Sequence, residues 1–155
     1  MLYTFKDAFG LDWQIEFQGI NVADRAADAG GDITVSSTGA AVFAIEVTER
    51  PIDRARVEAT FNNKVLRHNL PDYMFFFTDT PPSPEARALA RRYFGQGHDM
   101  NFLPVKQWLV DGLATIGTRH RPRFTEHLLE QLRGREMPAS MKLAWNKIIR
   151  ELLDS

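Results

Sequence analysis

The run from Ala41 to Thr48 sets a single carboxylate, that of Glu46, among apolar and β-branched side chains. Such a run is typical of a strand that is buried on both faces of a sheet. Because side chains two apart on a strand share a face, Glu46 and Thr48 point one way while Ile45 and Val47 point the other. Burial of an ionised carboxylate is costly unless a cation or a hydrogen-bond donor compensates it. We therefore expect a polar or metal-binding site beside Glu46.

A second carboxylate is expected close to the first. Asp32 opens a strand candidate, Asp32–Ser36, and Ser37-Thr38-Gly39 supplies the turn of a hairpin that leads into the next strand. Two carboxylates close together repel each other, and a bound divalent cation is the usual remedy. Mg²⁺ held by Asp32 and Glu46 would lower the pKa of a bound water and stabilise the charge that develops when a phosphodiester is cleaved. The spacing also allows a plainer arrangement, in which Glu46 pairs with an arginine such as Arg54 and Asp32 caps a turn.

The order of helix and strand patterns along the chain predicts an α/β fold. Strands are expected at 13–17, 32–36, 41–48, 73–78 and 101–105, and helices at 52–68, 84–94 and 106–116, with Ser83 as the N-cap of the second helix. Residues 21–31, rich in Ala, Asp and Gly, are expected to form a loop. This order indicates a layered core with a mixed central sheet flanked by helices, which we assign to residues 1–117.

The two ends of the chain carry separate predictions. Residues 118–155 are expected to form a helical extension of the same domain, with a basic linker at 118–123 and helices at 125–133 and 139–153. At the other end, Met1 lies so close to the first strand that little room is left for a preceding helix. The closeness of Met1 to this strand favours the interpretation that the chain is one domain of a larger protein.

Helix 52–68 shows two apolar stripes and one cationic strip when it is drawn at 3.6 residues per turn. The stripes are nearly opposite, which predicts a helix sandwiched between layers. They consist of Ile52, Ala55, Ala59 and Leu66, and of Val57, Phe61 and Val65. The cationic strip consists of Arg56, Thr60, Lys64 and Arg67 and contains no acid. Beside a carboxylate site it suits a phosphate backbone, although long basic side chains also occur as ordinary surface residues.

The amino-acid composition excludes several classes of functional site. The chain of 155 residues has the length of one domain and contains no cysteine, which excludes disulfides, thiolate metal sites and cysteine nucleophiles. Its four histidines share no metal-ligand spacing. Residues 1–50 carry a formal net charge of −5 and residues 51–155 one of +4, which suits a carboxylate metal site flanked by an anion-binding surface. No apolar run approaches a membrane span and the early acids exclude a signal peptide, so we expect a cytoplasmic protein without membrane contact.

Three segments together resemble the PD-(D/E)XK nuclease superfamily. They are Gly-Gly-Asp-Ile at 30–33, Ala-Ile-Glu-Val-Thr at 44–48 and Thr-Phe-Asn-Asn-Lys at 60–64. The likeness is to type II restriction endonucleases, including the SacI-type group, and it covers residues 13–116. The superfamily pattern has an Asp that opens one strand, a Glu on the next, and a Lys two residues after the Glu. Asp32 and Glu46 fill the first two positions, Gly31 stands in place of a proline as a harmless variation, and Thr48 stands where the lysine belongs.

The resemblance implies a restriction endonuclease-like fold and Mg²⁺-dependent cleavage of double-stranded DNA by a homodimer. Asp32 and Glu46 would ligate the metal, Lys64 on the following helix would replace the motif lysine, and Thr48 would orient a water or line the site. The DNA-contacting residues would be Arg56, Thr60, Asn63 and Arg67. The departure at Thr48 leaves two other functions open: a catalytically silent module that binds nucleic acid or a partner protein, and a purely structural domain within a larger enzyme.

Overall fold

A five-stranded mixed sheet forms the centre of the fold, as the sequence predicted. The computed structural model describes residues 1–17, 30–134 and 137–154. Its strands, in both chain order and sheet order, are β1 (Gln14–Phe17), β2 (Ile33–Ser37), β3 (Ala40–Thr48), β4 (Asp72–Phe77) and β5 (Asp99–Pro104). Neighbouring strands run antiparallel from β1 to β3 and parallel from β3 to β5. The sheet is therefore mixed, with β3 at the change of direction.

Helices precede, connect and follow the strands of the sheet. They are α1 (Leu2–Phe9), α2 (Arg54–Thr60), α3 (Pro84–Phe94), α4 (Val105–Thr115), α5 (Gly117–Arg133) and α6 (Ala139–Leu153). A π-turn (Phe61–Val65) continues α2 directly. The α3 helix begins as predicted, because the Ser83 side chain accepts a hydrogen bond from the backbone N–H of Ala86. None of the helices in the described part of the chain is long and apolar enough to cross a membrane.

The alternation of side chains along β3 divides the core into two layers. Ala44 packs in a cluster with residues of α2, the π-turn and α3, among them Val57 and Leu89. Phe43 and Ile45 pack on the opposite face in a second cluster that includes Leu2. The strand is thus buried on both faces, as its apolar run predicted. Glu46 shares the parity of Ala44, which places its carboxylate on the side of α2.

The hairpin between β2 and β3 forms where it was predicted. Thr38 and Gly39 both have positive φ, at 51° and 83°, and two such residues form the turn that matches the twist of paired strands. Gly31, just before β2, is required for a different reason. A Cβ atom there would lie 2.7 Å from the carbonyl oxygen of Ile45 in β3. A side chain at this position would therefore force β3 to shift, while the expectation that glycine in place of the proline is harmless to the site stays a prediction.

The expectation that little room exists for an N-terminal helix is wrong. The α1 helix occupies residues 2–9 and ends at Gly10, whose left-handed conformation caps it. It is held by packing rather than by a strong local signal, because Leu2 is buried and the ring of Phe5 meets Trp108 of α4 edge-on at 6.0 Å. Tertiary contacts of this kind stabilise short helices that isolated sequences would not form.

The predicted basic linker at 118–123 is also wrong, since these residues form the first turns of α5. Pro122 lies inside the helix, where it removes one backbone hydrogen bond. Contacts outside the helix hold this part of α5 against α1. Arg123 Nε donates to Asp7 Oδ2 of α1 at 3.0 Å, and His127 Nε2 lies 3.0 Å from the same oxygen. The boundary predicted at 117/118 stays a prediction.

Helix 52–68 was predicted to be sandwiched between layers, and this is wrong. The helix begins at Arg54, capped by the side chain of Asp53. The stripe of Val57, Phe61 and Val65 is buried, at 5% exposure or less, whereas the only buried member of the other stripe is Ile52, which precedes the helix. Ala55, Ala59 and Leu66 face solvent, because small alanines and one leucine do not demand a second layer. The loop expected at 21–31 falls almost entirely on residues 18–29, outside the described residues.

Candidate functional site

The carboxylate of Glu46 is held by three side chains. Its Oε1 accepts hydrogen bonds from Arg56 Nη2 at 2.6 Å and Arg56 Nε at 3.1 Å, and its Oε2 accepts from Lys64 Nζ at 3.2 Å and from the Tyr73 hydroxyl at 2.8 Å. Glu46 is only 7% exposed. Burial alone would raise the pKa of this carboxyl, but the charge of Lys64 and the hydrogen bonds from Arg56 and Tyr73 outweigh it and lower the pKa below its ordinary value. Glu46 is therefore an ionised carboxylate in a largely dry position.

The predicted cation partner of Glu46 differs from the one found. The plainer arrangement paired Glu46 with Arg54, but Arg54 is exposed and Arg56 makes the contact. Asp53 supplies the reason, because it caps the helix and thereby sets which residue of the first turn faces the sheet. The strip that begins at Arg56 was the one predicted to face the site.

The π-turn brings Lys64 into line with Arg56. Backbone N–H of Leu66 donates to the carbonyl of Phe61 at 2.9 Å, five residues back, which widens this turn. In a regular α-helix, residues eight apart lie about 80° from one another around the axis. With about one more residue in one of the two turns, eight residues complete close to two full turns. Arg56 and Lys64 therefore both face Glu46.

Tyr73 is the site residue that the sequence analysis missed. It lies on β4 opposite Ala44 of β3, so its side chain shares a face with Glu46 on the neighbouring strand. It is fully buried, and burial together with the negative charge of Glu46 raises the pKa of its hydroxyl far above the ordinary value. A signal was present in the sequence: a tyrosine in a strand that is otherwise almost all phenylalanine and methionine needs a partner for its O–H group.

Asp32 reaches the same place from the other side of β3. It directly precedes β2, and Ile33 pairs with Ile45, so continuation of the register sets Asp32 beside Glu46. Its Oδ2 accepts a hydrogen bond from the backbone N–H of Val47 at 2.8 Å. Asp32 thus bonds across to the neighbouring strand.

Thr48, the residue in the lysine position, ends β3 with its side chain buried. Its Oγ1 accepts a hydrogen bond from the backbone N–H of Arg50 at 3.0 Å, which fixes the exit of the strand. That bond uses an acceptor position of the hydroxyl, which keeps its one O–H donor. Thr48 can therefore orient a small polar group, but it brings no charge.

An open cavity of about 660 Å³ gathers the predicted site residues. It is lined by Asp32, Glu46, Thr48, Arg56, Thr60, Asn63 and Lys64, together with neighbours that include Glu49 and Arg50. Arg67, the remaining candidate, is exposed and is not part of this lining. The cationic strip therefore lines the cavity only as far as Lys64.

The donor atoms at this cavity suit Mg²⁺. Across residues 1–17, 30–134 and 137–154, no three side chains of His, Asp or Glu come together as a metal site. Mg²⁺ does not require three, because it is commonly bound through one or two carboxylates and completes its ligands with water and substrate phosphate. Asp32 and Glu46 both line the cavity, and their carboxylate oxygens are of the hard type that would hold such an ion. Glu46, however, has cations on both of its oxygens, so a metal would have to take the place of one of them.

Comparison with known proteins gives one family. Residues 1–78 match the family described as SacI restriction endonuclease C-terminal domain. The matched half of the chain contains strands β1 to β4, helices α1 and α2, the π-turn, and the carboxylates and cations just described. No curated protein matches the sequence.

Proposed function

Because the chain belongs to the SacI restriction endonuclease C-terminal domain family, we propose that it is a Mg²⁺-dependent DNA endonuclease domain of the PD-(D/E)XK type. One observation carries the proposal: Asp32, Glu46 and Lys64 line the same open cavity, and the Lys64 ammonium lies 3.2 Å from the Glu46 carboxylate. Two carboxylates and one cation are the charges that cleavage of a phosphodiester requires.

The roles follow from the contacts. Asp32 and Glu46 would hold the metal, which when bound supplies a water of lowered pKa and a counter-charge to the phosphate. Lys64 takes the place of the motif lysine, and its ammonium steadies charge on the phosphate and orients the attacking water. Glu46 keeps that ammonium inside the cavity. Thr48 holds its neighbouring backbone and offers one hydroxyl donor to a water.

Double-stranded DNA is the proposed substrate. Arg56, Thr60 and Asn63 line the cavity and can donate hydrogen bonds to phosphate oxygens, and Arg67 extends the same helix outwards. Contacts of this kind position DNA and carry no sequence information by themselves. They also make binding salt-dependent, since each neutralised phosphate releases counterions.

A catalytically silent module that binds nucleic acid is the second candidate, and a specific observation favours it. Both oxygens of Glu46 accept hydrogen bonds from Arg56, Lys64 and Tyr73, and Thr48 stands at the position where the superfamily pattern has its lysine. In a domain that no longer binds metal, the remaining role of Glu46 would be to position Arg56 and Lys64 for contacts with DNA phosphates. Such a module would bind DNA with steep salt dependence and would not bind Mg²⁺ or Mn²⁺.

Cleavage of supercoiled plasmid DNA separates the two candidates. We expect the chain to nick or linearise plasmid in Mg²⁺ or Mn²⁺, and Asp32→Asn to abolish this. Asp79→Asn is the matched control, because Asp79 is exposed in the turn after β4. Absence of cleavage with either metal, in the chain alone and in any longer protein that contains it, would leave the silent module as the function.

A further inference from the structure

Arg56 occupies the carboxylate that a metal would need. Its guanidinium gives two hydrogen bonds to Oε1 of Glu46, with side-chain exposures of 24% for Arg56 and 10% for Glu46. Lys64 and Tyr73 take the other oxygen. Together Asp32, Glu46, Arg56 and Lys64, which line one cavity, have a formal charge of 0, so a divalent cation that joined them without displacing one would meet no net attraction. In the DNA-free site these side chains therefore compete with a metal for Glu46.

Arg56 is the partner that can leave. Tyr73 is fully buried on β4 and cannot move away without opening the core. Lys64 donates one hydrogen bond to Glu46, the longest of the four, and the proposed function requires it at the reacting phosphate. Arg56 lies on the first turns of α2 at the open cavity, and its planar guanidinium binds phosphate in the same two-bonded manner as it binds a carboxylate.

The phosphates of DNA would also supply ligands to Mg²⁺. With only two carboxylates from the protein, most of its ligands come from water and from the substrate. Arrival of DNA would thus do two things at once: it offers Arg56 a phosphate in exchange for Glu46, and it offers the metal further oxygen ligands. Both effects favour metal binding only when DNA is present.

We propose that Arg56 alternates between two partners, Glu46 in the DNA-free protein and a backbone phosphate in the complex, so that metal and DNA bind cooperatively. The inference rests on the proposed function, since it requires the metal to bind at Glu46. By thermodynamic linkage, the factor by which DNA tightens metal binding equals the factor by which metal tightens DNA binding.

The test measures Mn²⁺ binding to the full chain from the electron paramagnetic resonance signal of free Mn²⁺, without any assay of activity. Arg56→Met removes the guanidinium and keeps an apolar stem, and Arg54→Met makes the same change on the exposed face of the same helix. Without DNA we expect Arg56→Met to bind Mn²⁺ about tenfold more tightly than wild type, the effect of one lost charge-assisted contact. The Mn²⁺ affinity of Arg54→Met should equal that of wild type. The affinity of Arg56→Lys should lie between those of wild type and Arg56→Met, and such a graded series would show that the change does not come from a fold defect in the Met variant.

A second arm adds a short mixed-sequence DNA duplex at low salt, with the duplex alone as the blank. We expect DNA to tighten Mn²⁺ binding to wild type by about tenfold and to Arg56→Met by clearly less. Equal Mn²⁺ affinity of wild type and Arg56→Met without DNA, or no effect of DNA on wild type, would overturn the inference. If wild type still cleaved plasmid in Mg²⁺, the proposed function would survive that result. Failure of every variant to bind Mn²⁺, with or without DNA, would overturn both.

Discussion

Lys64 Nζ lies 3.2 Å from Oε2 of Glu46, although 18 residues separate them along the chain. This proximity was predicted from the strip of cations on the helix that follows β3, and the structure confirms it. The contact requires a strand, a capped helix start and a π-turn to act together. This position is consistent with the proposed role of Lys64 as the replacement for the motif lysine that is missing at Thr48.

Replacement of Lys64 by alanine should abolish or strongly reduce DNA cleavage. Loss of one group that stabilises a developing charge typically costs about 100-fold or more in rate. Plasmid cleavage in Mg²⁺ measures the change, and Lys106→Ala, an exposed lysine on α4, is the control. Because Glu46 keeps its hydrogen bonds from Arg56 and Tyr73, the free energy of unfolding should change little. Full activity in Lys64→Ala would show that another cation does this work.

Replacement of Tyr73 by phenylalanine should destabilise the protein while leaving its packing intact. The ring stays, but Glu46 loses the hydrogen bond of 2.8 Å from the hydroxyl. A hydrogen bond to a charged group contributes about 1.5–3 kcal/mol, so we expect the free energy of unfolding in urea to fall by about 1.5 kcal/mol. Tyr93→Phe, at a tyrosine whose ring stacks on Phe61, should cost less. If the Tyr73→Phe effect persisted in a Glu46→Gln background, the hydrogen bond would not be its cause.

Replacement of Gly31 by alanine should be costly, although the change adds one methyl group. Its Cβ would lie 2.7 Å from the backbone oxygen of Ile45, which cannot move without shifting β3. Overpacking of this kind typically costs about 1–3 kcal/mol. Gly95→Ala serves as the control, because the added Cβ there approaches its nearest neighbour only to 3.4 Å. Equal midpoints of urea unfolding for the two variants would contradict the close approach of the strands.

The stabilising effect of Asp7 should disappear in acid. Hydrogen bonds from Arg123 and then His127 lower the pKa of the Asp7 carboxyl below its ordinary value of 3.8. A group with a lowered folded-state pKa stabilises the fold above its unfolded pKa, and the contribution is lost as the pH falls through the folded pKa. Asp7→Asn should therefore lower Tm at neutral pH and lose that difference towards strongly acidic pH. The effect is small, below about 1 kcal/mol, because the pair is exposed. A Tm difference that does not change with pH would contradict the ion pair.

The predictable part of the site depended on local periodicity. The faces of β3 follow from residue spacing alone, the hydrophobic pattern predicted the order of strands and helices along the chain, and Ser83 predicted the start of α3. Spacing also placed Arg56 and Lys64 on one strip, but their close alignment depends on the π-turn, which was not predicted. Tyr73 was missed because its partnership with Glu46 depends on how β4 is registered against β3, which no local pattern specifies. The α1 helix and the first turns of α5 were missed for a similar reason, since contacts such as Arg123 with Asp7 join residues from opposite ends of the chain.

The π-turn at 61–65 also affects how this chain should be aligned with its relatives. A wide turn amounts to one additional residue in a helix that otherwise keeps its course. In a relative whose helix is regular throughout, the side chain that occupies the place of Lys64 would be encoded one residue earlier. A gap-free alignment across this segment would then pair Lys64 with the wrong neighbour. The basic residue that compensates for a missing motif lysine should accordingly be sought in two adjacent columns rather than one.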